Sequence, residues 1–235
     1  MNTSELNISA DVETIARIPV VPAILEVICR TTGMGFAAIA RVTEERWVAC
    51  AVRDEIRFGL MPGGELKLDT TICYEIRQTG DPVVIDHVRE DETYHNHHTP
   101  VMYGFQSYIS VPIVQQDGRF FGTLCAIDPK PSILNNTEIV GMFKTYASLI
   151  SFYLAAAERT DTPGIKAIED HIIAELKALL NSVSGYSLHG QDAADPNQAQ
   201  QSVNKNDGQF SVIVRDSAQK IQSLINDLNT TLGKQ

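Results

Sequence analysis

The stretch GFQSYISVPIVQQDGRFFGTLCAID, residues 104–128, decides the fold of this chain. Apolar residues recur along Tyr108–Val114, an Asp117-Gly118 turn follows, and a second apolar run covers Phe120–Ile127. Two such runs joined by an Asp-Gly turn predict an antiparallel β-hairpin. The segment just before the first run is polar and rich in His and Tyr. We therefore expect a functional site where that segment crosses the sheet.

The composition is that of an ordinary globular protein. The chain has 235 residues, of which 43% are hydrophobic and 20% charged, and this suits one large domain or a medium domain with an appendage. The formal net charge of -10 opposes binding to a polyanion, because nucleic-acid affinity rests largely on Lys and Arg. We expect no nucleic-acid partner.

The sequence gives no sign of a targeting or membrane segment. Residues 1–14 lack a basic stretch followed by an apolar one, and we find no apolar run near the roughly 18 to 20 residues that span a bilayer. We expect a cytoplasmic protein without membrane contact. The four cysteines, Cys29, Cys50, Cys73 and Cys125, lie in separate apolar segments, which favours buried free thiols over disulfides or a zinc site.

The pattern of apolar residues before and after the hairpin predicts an α+β fold. A helix should begin near Val21, with Pro22 in its first turn. Asp69 is placed to cap a helix that extends to Gln78. The other predicted elements are strands at Phe36–Val42, Arg46–Val52, Glu55–Leu60 (weaker) and Val83–Ile85, a short helix and loop within Asp86–Tyr103, and a long helix at Glu138–Glu158. Together they predict a central antiparallel sheet of five or six strands flanked by helices.

The composition changes at Arg159, which predicts a separate tail over residues 159–235 after a domain at 12–158. Helical periodicity covers residues 165–183 and 210–232, and the polar stretch 184–208 between them is expected to be a mobile connection. The tail is therefore predicted to be a C-terminal helical hairpin. The last helix carries apolar residues spaced by four and three, which favours a coiled-coil seam and a homodimer: Val214, Ala218, Ile221, Ile225, Leu228 and Leu232.

Three segments of the domain resemble the GAF domain, a small-molecule sensing module. They read ICYEIRQTGDPVVIDH (72–87), YHNHHTPVMYGFQSYISVPI (94–113) and GRFFGTLCAID (118–128). These look like the GAF domains at the N-terminus of some bacterial sensor histidine kinases, and the resemblance covers residues 12–158. It implies a bacterial two-component signalling context, with a histidine kinase or another signalling protein as partner.

The tail carries a second resemblance. VRDSAQKIQSLINDL (214–228) is similar to the second helix of the dimerisation-and-phosphotransfer hairpin of those kinases. The first helix departs from that pattern, because His171 is followed by Ile172 rather than by an acid. With no ATP-binding domain in the 235 residues, we expect no kinase activity and interpret the tail as a degenerate hairpin.

A ligand pocket is the function that the aromatic residues favour. They could line an apolar cavity in which a few polar groups orient a small molecule; the simpler alternative is that they only close the core. The candidates are Trp47, Tyr74, Tyr94, Tyr103, Phe105 and Tyr108, with the polar groups Asp86, His87 and His98.

Cofactors and catalysis have weaker support in the sequence. His95, His97 and His98 invite a metal or haem interpretation, but adjacent loop histidines do not readily face one centre. A bilin would need a cysteine directly before a histidine, and the chain has none. We expect no metal and no cofactor, with a haem- or bilin-bearing photo- or gas sensor kept as an alternative. No GxSxG or HExxH motif is present, so we expect a non-catalytic protein.

These observations combine into one hypothesis. Ligand binding would shift residues 86–103, and the helix at 138–158 would pass that shift to a dimeric tail and so to a signalling partner. A third interpretation treats the pocket as vestigial and the domain as an interaction scaffold.

Overall fold

The structure is a computed structural model that describes residues 3–157, 163–183 and 196–233. The strands are β1 (Phe36–Val42), β2 (Trp47–Asp54), β3 (Glu65–Leu66), β4 (Val83–Ile85), β5 (Ser107–Val114) and β6 (Phe120–Asp128). The helices are α1 (Thr3–Ala16), α2 (Val21–Thr32), α3 (Ile72–Thr79), α4 (His98–Tyr103), α5 (Thr137–Ala157), α6 (Pro163–Val183) and α7 (Pro196–Gly233). Single 3-10 turns lie at Leu68–Thr70 and Val88–Glu90.

The described strands form one antiparallel sheet in the order β3-β2-β1-β6-β5-β4. The predicted hairpin forms β5 and β6, with Tyr108 opposite Ile127 and Val111 opposite Leu124, and its second strand is one of the two central strands. The turn between its strands places Gly118 at φ 85°, a left-handed conformation that glycine adopts without strain. The α+β fold and the six-stranded sheet confirm the prediction from the sequence.

A close approach between β1 and β6 depends on Gly122. A Cβ atom at this position would lie 1.8 Å from the carbonyl oxygen of Ala40 on β1. Gly122 pairs with Arg41, so the contact is part of the β1–β6 ladder itself. Any side chain here would push apart the two central strands.

Both faces of the sheet are buried, and successive residues of each strand contribute in turn to the apolar cluster on one face and to the cluster on the other. In β1, Ile39 belongs to one apolar cluster with the helices, whereas Ala38 and Ala40 belong to the opposite cluster. In β6, Leu124 joins the helical side and Cys125 the other side. Because successive side chains of a strand point to opposite faces, the sheet can pack on both sides. One side packs on a helical layer formed by α1, α2 and α5 to α7, and the other on a smaller layer formed by α3, α4 and the loop before β3.

Several local predictions are confirmed. Helix α2 begins at Val21 with Pro22 in its first turn, as expected. All four cysteines are free and buried. The strand predicted at Val83–Ile85 and the long helix after the hairpin are also present.

Two predictions before α3 are wrong. Residues 55–60 form no strand, because the carboxylate of Asp54 accepts hydrogen bonds from the backbone amides of Phe58 (3.0 Å) and Gly59 (2.8 Å) and curls the chain into a loop. Asp69 does not cap α3, since it lies in the preceding 3-10 turn and pairs with Lys67 at 2.9 Å. Thr71 is the N-cap residue instead.

The tail lies against its own domain. Helices α6 and α7 contact each other, α6 contacts α2, and α7 contacts α5. The seam residues Val214, Ile221, Ile225 and Leu228 are buried in the same apolar cluster as α2 and α5. In this conformation these side chains are buried within the chain and are not free to pair with a second copy.

The register and length of the last helix also differ from expectation. Ser217 is buried at 4% exposure, whereas the predicted seam residue Ala218 is only partly buried. The side chain of Leu232 lies outside the described set. Helix α7 begins at Pro196, so part of the stretch predicted as a mobile connection is helical, and residues 184–195 lie outside the described residues.

Helix α5 is the one described helix long and apolar enough to span a bilayer by length and composition. Its segment Thr137–Ala156 has a mean hydropathy of 1.4, so the expectation that no run reaches this length is wrong. About two thirds of that segment (67%) is buried inside the structure, because α5 packs on β5, α2 and α7. A buried core helix satisfies the same criterion.

Candidate functional site

A small cavity lies on the sheet face opposite the helical layer, under α3 and α4. Its volume is about 40 Å³, which is room for a few water-sized molecules. Its walls come from five strands, α3, α4 and the loop before β3. The lining residues are Phe36, Trp47, Phe58, Leu60, Leu66, Thr71, Ile72, Cys73, Thr99, Tyr103, Phe105, Tyr108, Cys125 and Ile127.

Four of the residues predicted from the sequence meet at this cavity: Trp47, Tyr103, Phe105 and Tyr108. Phe105 and Tyr108 stack with ring centroids 5.5 Å apart, since the residues leading into β5 turn both rings toward the same side. The hydroxyl of Tyr103 lies 2.5 Å from Thr70 Oγ1, which ties α4 to the start of α3. Trp47 is 2% exposed, and its indole N–H has no hydrogen-bond partner among the described residues.

Several hydrogen-bonding side chains lie around the sulfur of Cys73. Thr123 Oγ1 donates a hydrogen bond to Cys73 Sγ at 3.2 Å, and Tyr108 Oη lies 3.4 Å from the same sulfur. The thiol of Cys125 is a further neighbour of this sulfur at the cavity wall, and its S–H donates to the carbonyl oxygen of Ala38 at 3.6 Å. Trp47 Nε1 is near enough to stabilise negative charge on this sulfur, although its N–H is not aligned for a hydrogen bond to it.

These contacts give the thiols of Cys73 and Cys125 different pKa values. The proximity of Cys125, together with Thr123 and Tyr108, outweighs burial and lowers the pKa of Cys73 below its ordinary value. The proximity of Cys73 and burial raise the pKa of Cys125 well above its ordinary value. On the helical side of the sheet, burial raises the pKa values of Cys29 and Cys50 to about 12.

Three residues of the site were not among those predicted from the sequence: Cys73, Cys125 and Thr123. Thr123 and Cys125 are two apart in β6 and so point to the same face, a relationship that the sequence does contain. Nothing in the sequence indicated that α3 would place Cys73 over that face, because the pairing spans about 50 residues.

An open groove of about 550 Å³ adjoins the cavity and shares six lining residues with it. The shared residues are Phe58, Leu60, Leu66, Tyr103, Phe105 and Ile127. Arg57 lies on the rim with φ 61°, a strained backbone conformation for a side chain other than glycine. The amide hydrogen bonds to Asp54 hold this loop, and they lower the pKa of the Asp54 carboxyl although partial burial opposes the shift.

The family model of the GAF domain matches residues 17–154, more than half of the chain. The chain belongs to the GAF domain family. No curated protein sequence matches it.

Solved structures show the same fold at low identity. The chromophore-binding domain of an unusual bacteriophytochrome, RpBphP3 from R. palustris, is 11% identical, with a TM-score of 0.51 over 66% of this chain and 62% of that one. The GAF domain of the Acinetobacter phosphoenolpyruvate-protein phosphotransferase is 13% identical, with a TM-score of 0.48 over 67% and 97%. Free methionine-R-sulfoxide reductase from Neisseria meningitidis is 16% identical, with a TM-score of 0.48 over 66% and 85%.

Three of the predicted polar candidates lie outside the cavity of this GAF domain. Asp86 Oδ1 accepts hydrogen bonds from the backbone amides of Leu134 and Asn135, each at 2.8 Å, and so fixes the start of the segment that leads to α5. His87 pairs with Glu90 at 3.0 Å. His98 is exposed, and its Nε2 lies 3.2 Å from the carbonyl oxygen of Asp69.

Two predicted aromatic residues also lie away from the cavity. Tyr74 is partly buried on α3 and does not line it. The hydroxyl of Tyr94 donates to Glu75 at 3.1 Å, and burial together with the charge of Glu75 raises the pKa of Tyr94. His97 Nε2 lies 3.0 Å from the same carboxylate. Glu75 therefore anchors the His- and Tyr-rich segment of the GAF domain to α3.

The histidines do not form a metal centre in the described part of the chain. Within those residues, no group of three or more His, Cys, Asp or Glu side chains is arranged to hold a metal ion. His97 and His98 stack with ring centroids 4.4 Å apart, while His95 Nδ1 lies 2.8 Å from the carbonyl oxygen of Asp91.

Proposed function

We propose that this GAF domain is a non-catalytic, cytoplasmic sensor of a small molecule that passes its state of occupancy to a signalling partner. The observation that carries the proposal is the aromatic cavity that adjoins an open groove on one face of the sheet. Ligand pockets in proteins are typically apolar concave sites with a few polar groups, and the walls of this site have that character.

The size of the site limits how a ligand could occupy it. The cavity, at about 40 Å³, is far below the roughly 300 to 1,000 Å³ of ordinary ligand pockets, whereas the groove, at about 550 Å³, lies within that range. We infer that the ligand lies in the groove and extends one small group toward the cavity. A haem or a bilin would require a larger opening of α3 and α4.

Two polar groups define the chemistry of the ligand. The buried N–H of Trp47 makes no well-formed hydrogen bond among the described residues, with the sulfur of Cys73 as its polar neighbour, and an acceptor on a bound group would satisfy this donor. At the rim, Arg57 is an exposed cation on a strained loop. Together they favour a small molecule with an apolar body and an anionic or hydrogen-bond-accepting end, for example a carboxylate.

The route from the site to the tail passes through the sheet. Strand β5 contributes Tyr108 to the cavity on one face and packs on α5 with the other. Helix α5 in turn contacts α7, so movement of β5 can alter the docking of the tail. We propose that ligand binding shifts the tail between the docked state and a released state. In the released state the seam would pair with a second copy or with a histidine kinase.

Thermal melts of the full chain against a panel of small carboxylates test the proposal. A ligand at about 100 times its dissociation constant should stabilise the protein by about 2.7 kcal/mol. Arg57→Gln should reduce the shift, whereas Arg30→Gln, which removes an exposed arginine on the opposite side of the sheet, should not. A panel without any shift would leave the scaffold interpretation, and visible absorption by the purified protein would favour the haem or bilin alternative.

A further inference from the structure

The sulfur of Cys73 is the most unusual group outside the proposed ligand contacts. It lies in the first turn of α3 and is 4% exposed, yet Thr123 on β6 donates a hydrogen bond to it and the hydroxyl of Tyr108 on β5 lies within hydrogen-bond distance. A thiol surrounded by donors is stabilised as a thiolate, as it is at helix N-termini in reactive cysteines. A core cysteine kept only for packing needs no such surroundings.

The partner thiol has the complementary character. Cys125 lines the same cavity beside Cys73 and stays protonated, and its S–H donates to the carbonyl oxygen of Ala38 at 3.6 Å. The pair thus combines one nucleophilic sulfur with one thiol in contact with it. This is the arrangement of a reacting and a resolving cysteine.

Access to the pair is possible for a very small reagent. Both cysteines line the cavity of about 40 Å³, which has room for a few water-sized molecules. The cavity shares part of its wall with the open groove, so a small opening between Phe58 and Tyr103 would connect it to solvent. A hydroperoxide as small as hydrogen peroxide fits this volume, whereas bulky oxidants do not.

We propose that Cys73 and Cys125 form a redox-active pair that a small hydroperoxide, represented by hydrogen peroxide, converts into a reversible disulfide. This site does not depend on the proposed ligand, since both thiols are present in the empty cavity. It would make the sheet face opposite the helical layer an oxidation sensor in its own right.

The chemistry balances in two steps. The Cys73 thiolate attacks one oxygen of the hydroperoxide, the O–O bond breaks, and the departing alkoxide or hydroxide takes up a proton; Cys73 becomes a sulfenic acid. The Cys125 sulfur then attacks the Cys73 sulfur, its proton and the hydroxyl leave as water, and the S–S bond forms. The two thiols lose two electrons in total, and the peroxide gains them.

The disulfide would have a structural consequence. It would join α3 to β6 covalently and draw the two sulfurs together at the cavity wall that Tyr108 and Trp47 also line. Reduction would restore the two thiols. Oxidation should therefore also change the fluorescence of Trp47, the one tryptophan of the chain.

The test treats the folded, full-length chain with hydrogen peroxide and maps its peptides by mass spectrometry without reduction. The expected product is a Cys73–Cys125 disulfide that forms more than about tenfold faster than any oxidation of Cys29 or Cys50, because their thiolate populations are far smaller. The rate should change little between about pH 7 and pH 8.5, whereas an ordinary thiol would react faster as it ionises.

Variants complete the test. Cys125→Ser should leave Cys73 trapped as a sulfenic acid, which dimedone labels when it is added together with denaturant after the peroxide is removed. Cys50→Ser, which changes another buried thiol on the opposite face, should leave disulfide formation unchanged. Should either cysteine variant fail to fold, the peptide map of the unaltered chain still decides. Equal oxidation of all four cysteines, or disulfide formation only after unfolding, would overturn the proposal. A panel of carboxylates without binding would not affect it.

Discussion

The hydroxyl of Thr123 donates a hydrogen bond to the sulfur of Cys73 across 3.2 Å and so joins β6 to α3 at the wall of the cavity. This contact connects residues 50 apart in sequence. It lies at the centre of the candidate site, because the same sulfur also meets Tyr108 and Cys125.

Replacing Thr123 with Val tests that contact. Thr123→Val keeps the branched shape but removes the donor, so the pKa of Cys73 should rise toward its ordinary value. The pH titration of thiolate absorbance in the ultraviolet measures this shift. The loss of one hydrogen bond should cost about 1 kcal/mol of stability. An unchanged titration curve would mean that Thr123 does not hold the thiolate.

The lowered pKa of Cys73 predicts a pH dependence of stability. Between the lowered folded pKa of Cys73 and the ordinary thiol pKa, the unfolded chain binds more protons at this thiol than the folded chain, so the free energy of unfolding should rise with pH across this window. The contribution is lost as pH falls through the folded value. Cys125 and Tyr108 keep their protons in the folded state, because their pKa values are raised there, so their contributions fall with pH only as the unfolded chain approaches its ordinary thiol and phenol pKa values.

Denaturant unfolding at several pH values measures this effect. The wild-type chain should gain stability over Cys73→Ala as pH rises. Cys50→Ala serves as the control: the folded pKa of Cys50 is raised, so its contribution to stability falls rather than rises as pH approaches the ordinary thiol value. Parallel curves for the wild type and Cys73→Ala would contradict a lowered pKa.

Two glycines offer a matched comparison of backbone packing. In Gly122→Ala the new methyl would meet the Ala40 carbonyl at 1.8 Å, so the central strands must separate and stability should fall by about 3 kcal/mol. Gly141 lies within α5, and a methyl group added there would meet no atom of another element within 4 Å, so Gly141→Ala should add about 0.5 to 1 kcal/mol. Thermal unfolding of both variants checks that Gly122→Ala is less stable, and Gly141→Ala more stable, than the wild type.

Ile225 reports on the docking of the tail. It is 3% exposed within the apolar cluster shared by α5 and α7, so Ile225→Asp should bury a carboxylate and lower the free energy of unfolding by several kcal/mol. The neighbouring Asn226 is exposed, and Asn226→Asp should change stability by less than about 0.5 kcal/mol.

Sedimentation of the same two variants addresses assembly. If the released seam forms the proposed homodimer, Ile225→Asp should be monomeric under conditions in which Asn226→Asp dimerises. If Ile225→Asp loses stability but the sedimenting mass is the same for both variants, the seam packs only within one chain and does not form a dimer interface. Limited proteolysis in α6 and α7 would then show whether the tail has detached from α2 and α5.

Most of the domain could be predicted from the sequence, because the patterns that specify its strands, turns and helices involve residues close together in the chain. Alternation and an Asp-Gly turn specify the hairpin, and Pro22 marks the start of α2. The strand predicted at residues 55–60 failed because Asp54 binds the following amides, a side-chain contact that competes with the sheet. Of the aromatic candidates, those on β2, α4 and β5 reach the cavity, whereas Tyr74 and Tyr94 lie elsewhere.

The sequence by itself determined the sheet, its central hairpin and the helical periodicity, because hydrophobic alternation and turn chemistry act between neighbouring residues. Only the tertiary structure decided that Cys73 meets Thr123 and Cys125, and that the apolar seam of α7 lies on α5 rather than at a free surface. Such pairings depend on how α3 and the tail close over the two faces of the sheet. An apolar stripe specifies that it will be buried, but not which surface will cover it.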